Sequence, residues 1–445
     1  MRGCGLRNSK SFFILYLKSL IVLQQLGIFY IFEKCKFGFI RLIIPGLGVF
    51  GCRSQTYIQV GSNSTKMKFI TTFILIFTLV SCKQKSKYDY ENKIIGEWKY
   101  VKELEKPNKN GNIPPPPPFD RQEIGYEFKS NGKFDYKLGF FKYIRGDENH
   151  QSQNIYLGNT SNYKIENDSL KLYDLSSKKW ASYKIASIKF DTLKIINNEG
   201  KIDKFHKVNY KIDNSKSFDK IIISSTGCYG RCPVTDIEID KSGDVLFKGG
   251  YCSSIKGSYK SKISKELFSK INLSFLKSNW TNLENEYISS WTDDETVYVT
   301  FVKNETIIKT IEDYGRKAPT EFIWAYTPIR YLHQNIKLEK NAIDTTLFDF
   351  NYIGFKKKDV ICSLTKSESF YLKNLLSKSS ITEKSFIEKY TMEYWSNDIK
   401  KKIVTDGRYY KIKKNKEEFI ILDLKYDFLK QNNLVQRFRK VTEYD

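Results

Sequence analysis

Short segments in which apolar and polar residues alternate, separated by turn residues, run from residue 93 to residue 212. Such alternation over a few residues is typical of a half-buried β-strand, and the pair Asn131-Gly132 between two segments favours a tight hairpin turn. Eight segments have this pattern: 94–102, 124–128, 133–138, 163–165, 170–173, 180–188, 192–196 and 204–208. Because closure into a barrel leaves no exposed strand edge, the pattern predicts an N-terminal up-and-down β-barrel.

Between residues 216 and 337 the pattern changes to strands followed by helices. Strand patterns occupy 220–225, 235–240, 245–248, 297–302 and 306–311. Apolar residues at helical spacing predict a helix over 264–277, with Ser264 as its N-cap. Pro319 predicts the start of a second helix, and Pro328 predicts a kink or an end in it. This order predicts an α+β domain with an antiparallel sheet and two helices.

Residues 344–445 show a third pattern, which predicts a small α/β unit or a lid on the preceding domain. The segment Thr365-Lys366-Ser367-Glu368 is a capping box that opens a helix through Leu376. Strand patterns flank the turn Thr405-Asp406-Gly407, and residues 426–431 predict a short closing helix. Five aromatic residues are predicted to lie in the core of this unit rather than to form a glycan platform: Tyr390, Tyr394, Trp395, Tyr409 and Tyr410.

Residues 67–82 read MKFITTFILIFTLVSC, with a positive charge at Lys68, an apolar run and a small residue before Cys82. This order is typical of a cleaved secretory segment, because the apolar run is short for a membrane span. Leu79-Val80-Ser81-Cys82 resembles the lipobox of bacterial lipoproteins. The resemblance implies cleavage before Cys82, a diacylglyceryl thioether on its sulfur and membrane anchoring through that lipid. The alternative is a transmembrane anchor that ends in a cysteine.

An export signal at residue 67 predicts that residues 1–66 are an over-extended reading frame with Met67 as the true start. Ser11 to Phe32 is apolar enough for a membrane helix, but we expect that this segment is not translated. Residues 83–92 then form a tether. Lys83-Gln84-Lys85 lacks the early acidic cluster linked to surface export, so we expect an outer-membrane lipoprotein that faces the periplasm rather than the outside.

The chain has a net charge of +24, from 74 Lys or Arg and 50 Asp or Glu. Residues 1–81 hold ten Lys or Arg and one Glu, which leaves +15 after cleavage. Since the lysines are spread along every segment, the charge favours a solvated lysine surface over a nucleic-acid interface, and we expect no nucleic-acid partner. An anionic membrane or glycan surface stays open as a partner.

The first barrel strand contains Gly96-Glu97-Trp98. This tripeptide, at the start of eight predicted strands, resembles the GxW signature of lipocalins. The resemblance implies that Trp98 plugs the base of a lipocalin-like barrel and is first a core residue. A barrel of this size can also hold a small apolar ligand.

The loop Thr226-Gly227-Cys228-Tyr229-Gly230-Arg231-Cys232-Pro233 lies between the first two strands of the second domain. Together with Asp240-Lys241-Ser242-Gly243, Thr292-Asp293-Asp294 and Asp313-Tyr314-Gly315, it resembles an uncharacterised family of exported domains that is common in lipoproteins. The resemblance implies a fold and an extracytoplasmic location, and it implies no activity.

Four cysteines follow Cys82 in the chain: Cys228, Cys232, Cys252 and Cys362. Outside the cytoplasm, the short spacing favours a Cys228–Cys232 disulfide that pins the loop, and a Cys228–Cys252 disulfide is the competing pairing. A third alternative is a reactive Cys232 thiolate favoured by the neighbouring Arg231.

Arg231, Asp293 and Tyr314 all lie in loops of the second domain, and we expect them to converge on one end of its sheet as a polar recognition site. The three histidines, His150, His206 and His333, are far apart in the sequence, so no metal site or other cofactor is expected. Asp293, Asp294 and Glu295 are paired carboxylates of a kind that glycosidases use, but an acidic loop is more often a solvated turn.

The sequence therefore predicts a membrane-anchored protein that binds an envelope protein, a glycan or a small apolar ligand, or that acts as an envelope scaffold, without catalysis. The alternative is an exported hydrolase or thiol enzyme that uses the loops of residues 216–337. That alternative requires a concave cluster around Cys232, Arg231 and Asp293.

Overall fold

The computed structural model describes residues 90–101, 123–146, 153–341, 348–396, 399–414 and 418–442, together with three strands nearer the N-terminus. The chain divides into two compact units, residues 1–81 and 82–445. In the first unit, strands β1 (Ile31–Lys34), β2 (Ile40–Ile44) and β3 (Gly48–Phe50) form an antiparallel sheet.

The predicted signal of residues 67–82, with Cys82, lies outside the described residues. No helix in the described ranges is long and apolar enough to cross a membrane.

The second unit begins with the predicted eight-stranded barrel, which is confirmed. Its strands are β4 (Gly96–Tyr100), β5 (Gly125–Phe128), β6 (Lys133–Tyr136), β9 (Thr160–Glu166), β10 (Ser169–Asp174), β11 (Lys179–Lys189), β12 (Thr192–Ile196) and β13 (Ile202–Val208). Sequential strands pair antiparallel, and β13 closes the barrel against β4. Strands β7 (Phe141–Ile144) and β8 (Gln153–Tyr156) form a separate hairpin that the sequence did not predict. We call this the barrel hairpin.

Side chains pack the interior of the barrel. Trp98 is fully buried, and its indole N–H donates to the backbone oxygen of Ile94 at 2.6 Å. The rings of Tyr126 and Phe134 contact edge to face, and Phe128 stacks on Phe134. These aromatic rings and the aliphatic residues between them form one hydrophobic cluster. Trp98 is therefore a core residue, as the sequence predicts.

A mixed eight-stranded sheet follows, which we call the central sheet. Its strands are β14 (Lys220–Ser225), β15 (Thr235–Asp240), β16 (Asp244–Gly249), β17 (Gly257–Lys262), β18 (Glu286–Ile288), β19 (Thr296–Lys303), β20 (Thr306–Tyr314) and β21 (Glu339–Lys340). Their spatial order is β18-β20-β19-β14-β15-β16-β17-β21, and only β18 pairs parallel to its neighbour. The sequence did not predict β17, β18 or β21. Strand β17 reads GSYKSK, so it lacks the apolar alternation that marks a half-buried strand.

Two helices cover one face of the central sheet. Helix α1 (Lys265–Lys277) begins as predicted, because the Ser264 hydroxyl accepts from the Leu267 N–H at 3.2 Å. Helix α2 (Thr320–Arg330) begins directly after Pro319 and contains Pro328 two residues before its end. Apolar side chains of both helices share one core with the sheet.

Helix α3 (Lys366–Ser377) and a second eight-stranded sheet cover the other face. The strands of this C-terminal sheet are β22 (Gly354–Lys357), β23 (Val360–Ser363), β24 (Ser380–Thr382), β25 (Tyr390–Ser396), β26 (Ile399–Thr405), β27 (Tyr409–Lys413), β28 (Phe419–Asp423) and β29 (Arg439–Lys440). Their spatial order is β24-β28-β27-β26-β25-β22-β23-β29, and helix α4 (Phe428–Gln431) follows β28. The predicted capping box opens α3.

Two predictions for the C-terminal region need correction. Its strand pairs are all antiparallel in the described residues, so this part is an α+β sheet rather than the predicted α/β unit. Trp395 is 68% exposed, whereas the other four aromatic residues of the predicted core are buried or half-buried. Side chains alternate between the two faces of β25, and Trp395 points away from the face that buries Tyr394.

Candidate functional site

The register of the central sheet brings three loops to one of its ends. Ser225 pairs with both Thr235 and Val297, and Thr235 pairs in turn with Gly249. The loops 226–234, 250–256 and 289–295 therefore leave the sheet side by side. We call this group of loops the disulfide end.

A disulfide joins Cys228 and Cys232, with their Cα atoms 5.5 Å apart. Cys252 and Cys362 carry free thiols. Of the alternatives that the sequence left open, the structure thus contains the short loop rather than the Cys228–Cys252 pairing. The alternative with Cys232 as a reactive thiolate lacks its free sulfur in this structure.

Main-chain hydrogen bonds hold the disulfide loop against its neighbour. The Thr226 N–H donates to the Thr296 oxygen at 3.0 Å, and the Thr296 N–H donates back to the Thr226 hydroxyl at 2.8 Å. The Tyr229 N–H donates to the Asp293 oxygen at 3.2 Å. These contacts and the disulfide limit the motion of the loop, while the Tyr229 side chain projects into solvent.

Arg231 and Asp293 lie in the loops of the disulfide end and Tyr314 ends strand β20, but the three predicted recognition residues do not form one cluster. Tyr314 lies beside the acidic loop, where its hydroxyl accepts from the Asp294 N–H at 3.2 Å. The Arg231 guanidinium instead donates to the hydroxyl of Tyr143 at 2.7 Å. Tyr143 belongs to the barrel hairpin, which the sequence did not predict, so this partner of Arg231 could not be anticipated.

The acidic loop of residues 293–295 does not present a pair of free carboxylates. The Trp291 indole N–H donates to the Asp294 carboxylate at 3.1 Å. Glu295 is buried and holds both terminal nitrogens of Arg330. Only Asp293 keeps an exposed carboxylate, so the glycosidase arrangement considered from the sequence is not formed here.

A small cleft separates the barrel hairpin from the disulfide end. Its free volume is about 20 Å³, and its walls include Tyr143, Arg231, Cys252, Ser254, His333 and Gln334. The Gln334 side chain joins the two walls, because its Oε1 accepts from the Tyr156 N–H at 2.7 Å and its Nε2 donates to the Asn154 oxygen at 3.2 Å. The described residues contain no group of three or more His, Cys, Asp or Glu side chains arranged to hold a metal ion.

His333 lies in this cleft, in surroundings that its isolated position in the sequence did not indicate. Its ring is 2% exposed and stacks on Phe247 with centroids 4.3 Å apart. Nδ1 lies 3.1 Å from the Arg330 oxygen, and Nε2 lies 3.2 Å from the Ser254 hydroxyl. Burial lowers the pKa of His333 to about 4. Ser254 and His333 are 79 positions apart, and no spacing motif links them.

Acidification is expected to destabilise the protein through His333. The folded ring has a pKa of about 4 and the ordinary value is 6.5, so below pH 6.5 the unfolded chain binds a proton that the folded chain excludes. The contribution of the neutral His333 ring to the free energy of unfolding is complete above pH 6.5. It decreases by about 2–3 kcal/mol as the pH falls towards 4. Urea unfolding at pH 7.0 and 4.5 measures it.

When the pH falls from 7.0 to 4.5, the free energy of unfolding of the His333→Asn variant is expected to decrease by about 2–3 kcal/mol less than that of the wild type. His206→Asn, at an exposed position on the barrel, is the control variant and keeps the wild-type difference. Equal losses for His333→Asn and the wild type would show that the buried ring is not held neutral.

Comparison with known proteins identifies the central sheet. Residues 219–333 match a domain of unknown function, DUF6438. The DUF6438 domain contains β14 to β20, both covering helices and the whole disulfide end, and it makes up about a quarter of the chain. No curated protein and no solved structure matches the chain significantly. The match agrees with the resemblance to an uncharacterised domain that the cysteine loop indicates.

Proposed function

We propose that the protein is an outer-membrane lipoprotein, anchored through lipid on Cys82, that acts as a binding or scaffolding protein of the cell envelope. In this proposal the lipocalin-like barrel and the C-terminal sheet hold the DUF6438 domain, and the disulfide end is the recognition surface. The partner is a second envelope protein that faces the periplasm. The surface chemistry of the disulfide end supports this proposal.

Exposed aromatic side chains on the loops of the disulfide end and on the barrel hairpin are the observation that carries the proposal. The exposed fractions are 91% for Tyr229, 60% for Tyr251, 57% for Tyr143 and 42% for Trp291. Tyrosine, tryptophan and arginine dominate the binding energy of protein interfaces, since they combine a large apolar area with polar groups. The disulfide and the main-chain hydrogen bonds restrain the backbone at Tyr229, so ordering the loop on binding costs little conformational entropy.

The barrel interior supports a surface partner rather than a ligand inside the barrel. Trp98, Phe128, Phe134 and Phe205 are buried in a single packed cluster. Large rings that contact one another leave little room for a small apolar ligand. The barrel instead contributes Tyr143 to the recognition surface through its hairpin.

Photo-crosslinking tests the recognition surface. A benzophenone amino acid at Tyr229 is expected to cross-link one defined envelope protein in intact cells. The same probe at Phe190, which is fully exposed on the barrel, is the matched control and is expected to give no such product. Arg231→Ala in the Tyr229 probe chain should lower the yield at least about tenfold, as for a residue at the centre of an interface. Equal products from both positions, or no product, would contradict the proposal.

Removal of the lipid anchor is expected to move the protein from the membrane fraction to the soluble fraction. Each buried methylene contributes about 0.8 kcal/mol to membrane binding, so the acyl chains together account for most of the anchoring. Fractionation of Cys82→Ala cells, with Lys83→Ala as control, measures this change, and peptide mass spectrometry of the wild type should find an acylated Cys82 at the amino terminus. Retention of Cys82→Ala in the membrane would exclude a lipid anchor at this position.

A further inference from the structure

A serine and a histidine meet in the cleft at the disulfide end with the geometry of a nucleophile and its base. The Ser254 hydroxyl lies 3.2 Å from Nε2 of His333. Nδ1 of the same ring lies 3.1 Å from the Arg330 backbone oxygen, which can only accept a hydrogen bond. Nδ1 therefore carries the proton, and Nε2 presents its lone pair to the serine hydroxyl. This is the arrangement that activates a serine: a base beside it, and a third group that orients the base.

The surrounding structure holds both side chains in place. The ring of His333 stacks on Phe247 with an interplanar angle of 10°. The loop that carries Ser254 folds back tightly on the sheet, since a Cβ on Gly249 would come within 1.8 Å of the Ile255 oxygen. Cys252, two residues before the serine, has a left-handed φ of 55°, which costs energy for a residue with a side chain. A loop under this constraint keeps the serine in the cleft wall.

The cleft supplies donors for the negative charge that develops during acyl transfer. Nε2 of Gln334 donates to the Ser254 hydroxyl at 3.5 Å, so this amide is a hydrogen-bond donor beside the attacking atom. The Arg231 guanidinium lies in the same cleft wall and attracts anions.

We propose that Ser254 and His333 form a catalytic dyad that hydrolyses small carboxylic esters. This activity goes beyond the proposed binding function and does not depend on it. The Ser254 oxygen bonds to the acyl carbon while its proton passes to Nε2 of His333, and that proton then leaves with the alcohol. Water next attacks the acyl-serine and loses a proton to Nε2; the bond between the Ser254 oxygen and the acyl carbon then breaks, the proton passes from Nε2 to the Ser254 oxygen, and the carboxylic acid leaves. The net reaction is ester and water to acid and alcohol.

The electrostatic surroundings of His333 set the pH range of the activity. The charged and titratable groups that face the ring are Arg231 and Cys252 from the neighbouring loops, Tyr143 from the barrel hairpin, and Arg330 and Tyr331 from its own segment. Among the described residues that line the cleft there is no carboxylate to stabilise the imidazolium, and the nearby Glu295 is paired with Arg330. Burial keeps the pKa of His333 at about 4, so the neutral ring is available above that pH, and we expect a slow hydrolase.

Active-site labelling of the intact lipoprotein tests the proposal. A fluorophosphonate probe is expected to attach to Ser254, with the site identified by peptide mass spectrometry, and the protein is expected to hydrolyse p-nitrophenyl acetate. His333→Asn should slow labelling by at least about 100-fold, the usual contribution of a general base. The labelling rate of the wild type should rise through about pH 4 and stay level from pH 5 to 8.

Matched variants separate catalysis from a structural hydrogen bond. Ser254→Ala should abolish labelling, whereas Ser261→Ala, which also removes one serine hydrogen bond but lies outside the cleft, should label like the wild type. Thermal unfolding of each variant reports whether it is folded. No label on folded wild-type protein, a label on Cys252 instead, or equal labelling of His333→Asn would overturn the dyad. None of these results bears on the Tyr229 cross-link.

Discussion

Replacement of Glu295 by alanine is expected to lower the free energy of unfolding by about 3–5 kcal/mol, since it leaves a buried arginine without its counter-charge. The Arg330 side chain is 2% exposed and the Glu295 side chain 6% exposed. Nη1 of Arg330 donates to the carboxylate at 2.7 Å, and Nη2 donates to its second oxygen. The Nε of Arg330 already lacks a partner among the described residues, so the cationic head depends on this one carboxylate.

Urea unfolding of Glu295→Ala measures this effect. Glu339→Ala is the matched control, since Glu339 is exposed and its ion pair with Lys260 is long at 4.0 Å, and we expect it to change stability by less than about 0.5 kcal/mol. The double variant Glu295→Leu with Arg330→Met should recover most of the loss, because it buries no charge. A Glu295→Ala loss no larger than that of the control would show that Arg330 reaches water.

The Lys366→Ala variant is expected to lose a similar amount, about 3–5 kcal/mol, at the contact between α3 and the central sheet. The Lys366 side chain is 3% exposed and pairs with Asp236, which is 7% exposed. Lys366 also donates to the Thr235 oxygen at 3.3 Å. Removal of the Lys366 side chain leaves the buried Asp236 carboxylate without its counter-charge. This change weakens the docking of the C-terminal sheet on the central sheet.

Chemical unfolding with Lys411→Ala as the control measures this second effect. Lys411 lies in an exposed pair with Glu388 at 3.7 Å, so its removal should cost little. Limited proteolysis should also cut the Lys366→Ala protein between the two sheets sooner than the wild type. A double-mutant cycle with Asp236→Asn should show a coupling of at least about 1 kcal/mol between the two side chains. Independent effects of the two changes would mean that the pair does not hold the sheets together.

Much of the architecture follows from local sequence patterns. The eight barrel strands were predicted in number and near their positions, because alternation and turn residues act over a few neighbouring positions. The start of α1 at Ser264 and the capping box of α3 were predicted for the same reason, since a helix cap joins a side chain to an N–H three residues away. The glycine-bracketed cysteine pair likewise indicated the domain that the family comparison identifies.

The sequence did not predict the contacts between elements that define the candidate site. The barrel hairpin gives Arg231 its partner Tyr143, 88 positions away, and a fold of the chain brings Ser254 to His333 across 79 positions. The sequence predicted the start of α3 but not its interior position, because the charged residues Lys366, Glu368 and Lys373, which it buries, carry no local signal of burial.

The sequence by itself determined the barrel, the two covering helices and the cysteine loop, because the signals for these elements lie within a few residues of one another. Only the tertiary structure decided which polar side chains meet, because a buried charge or hydroxyl is stable beside any suitable partner that packing brings to it, however distant in the chain. The Arg231–Tyr143 contact and the Ser254–His333 pair belong to this second class.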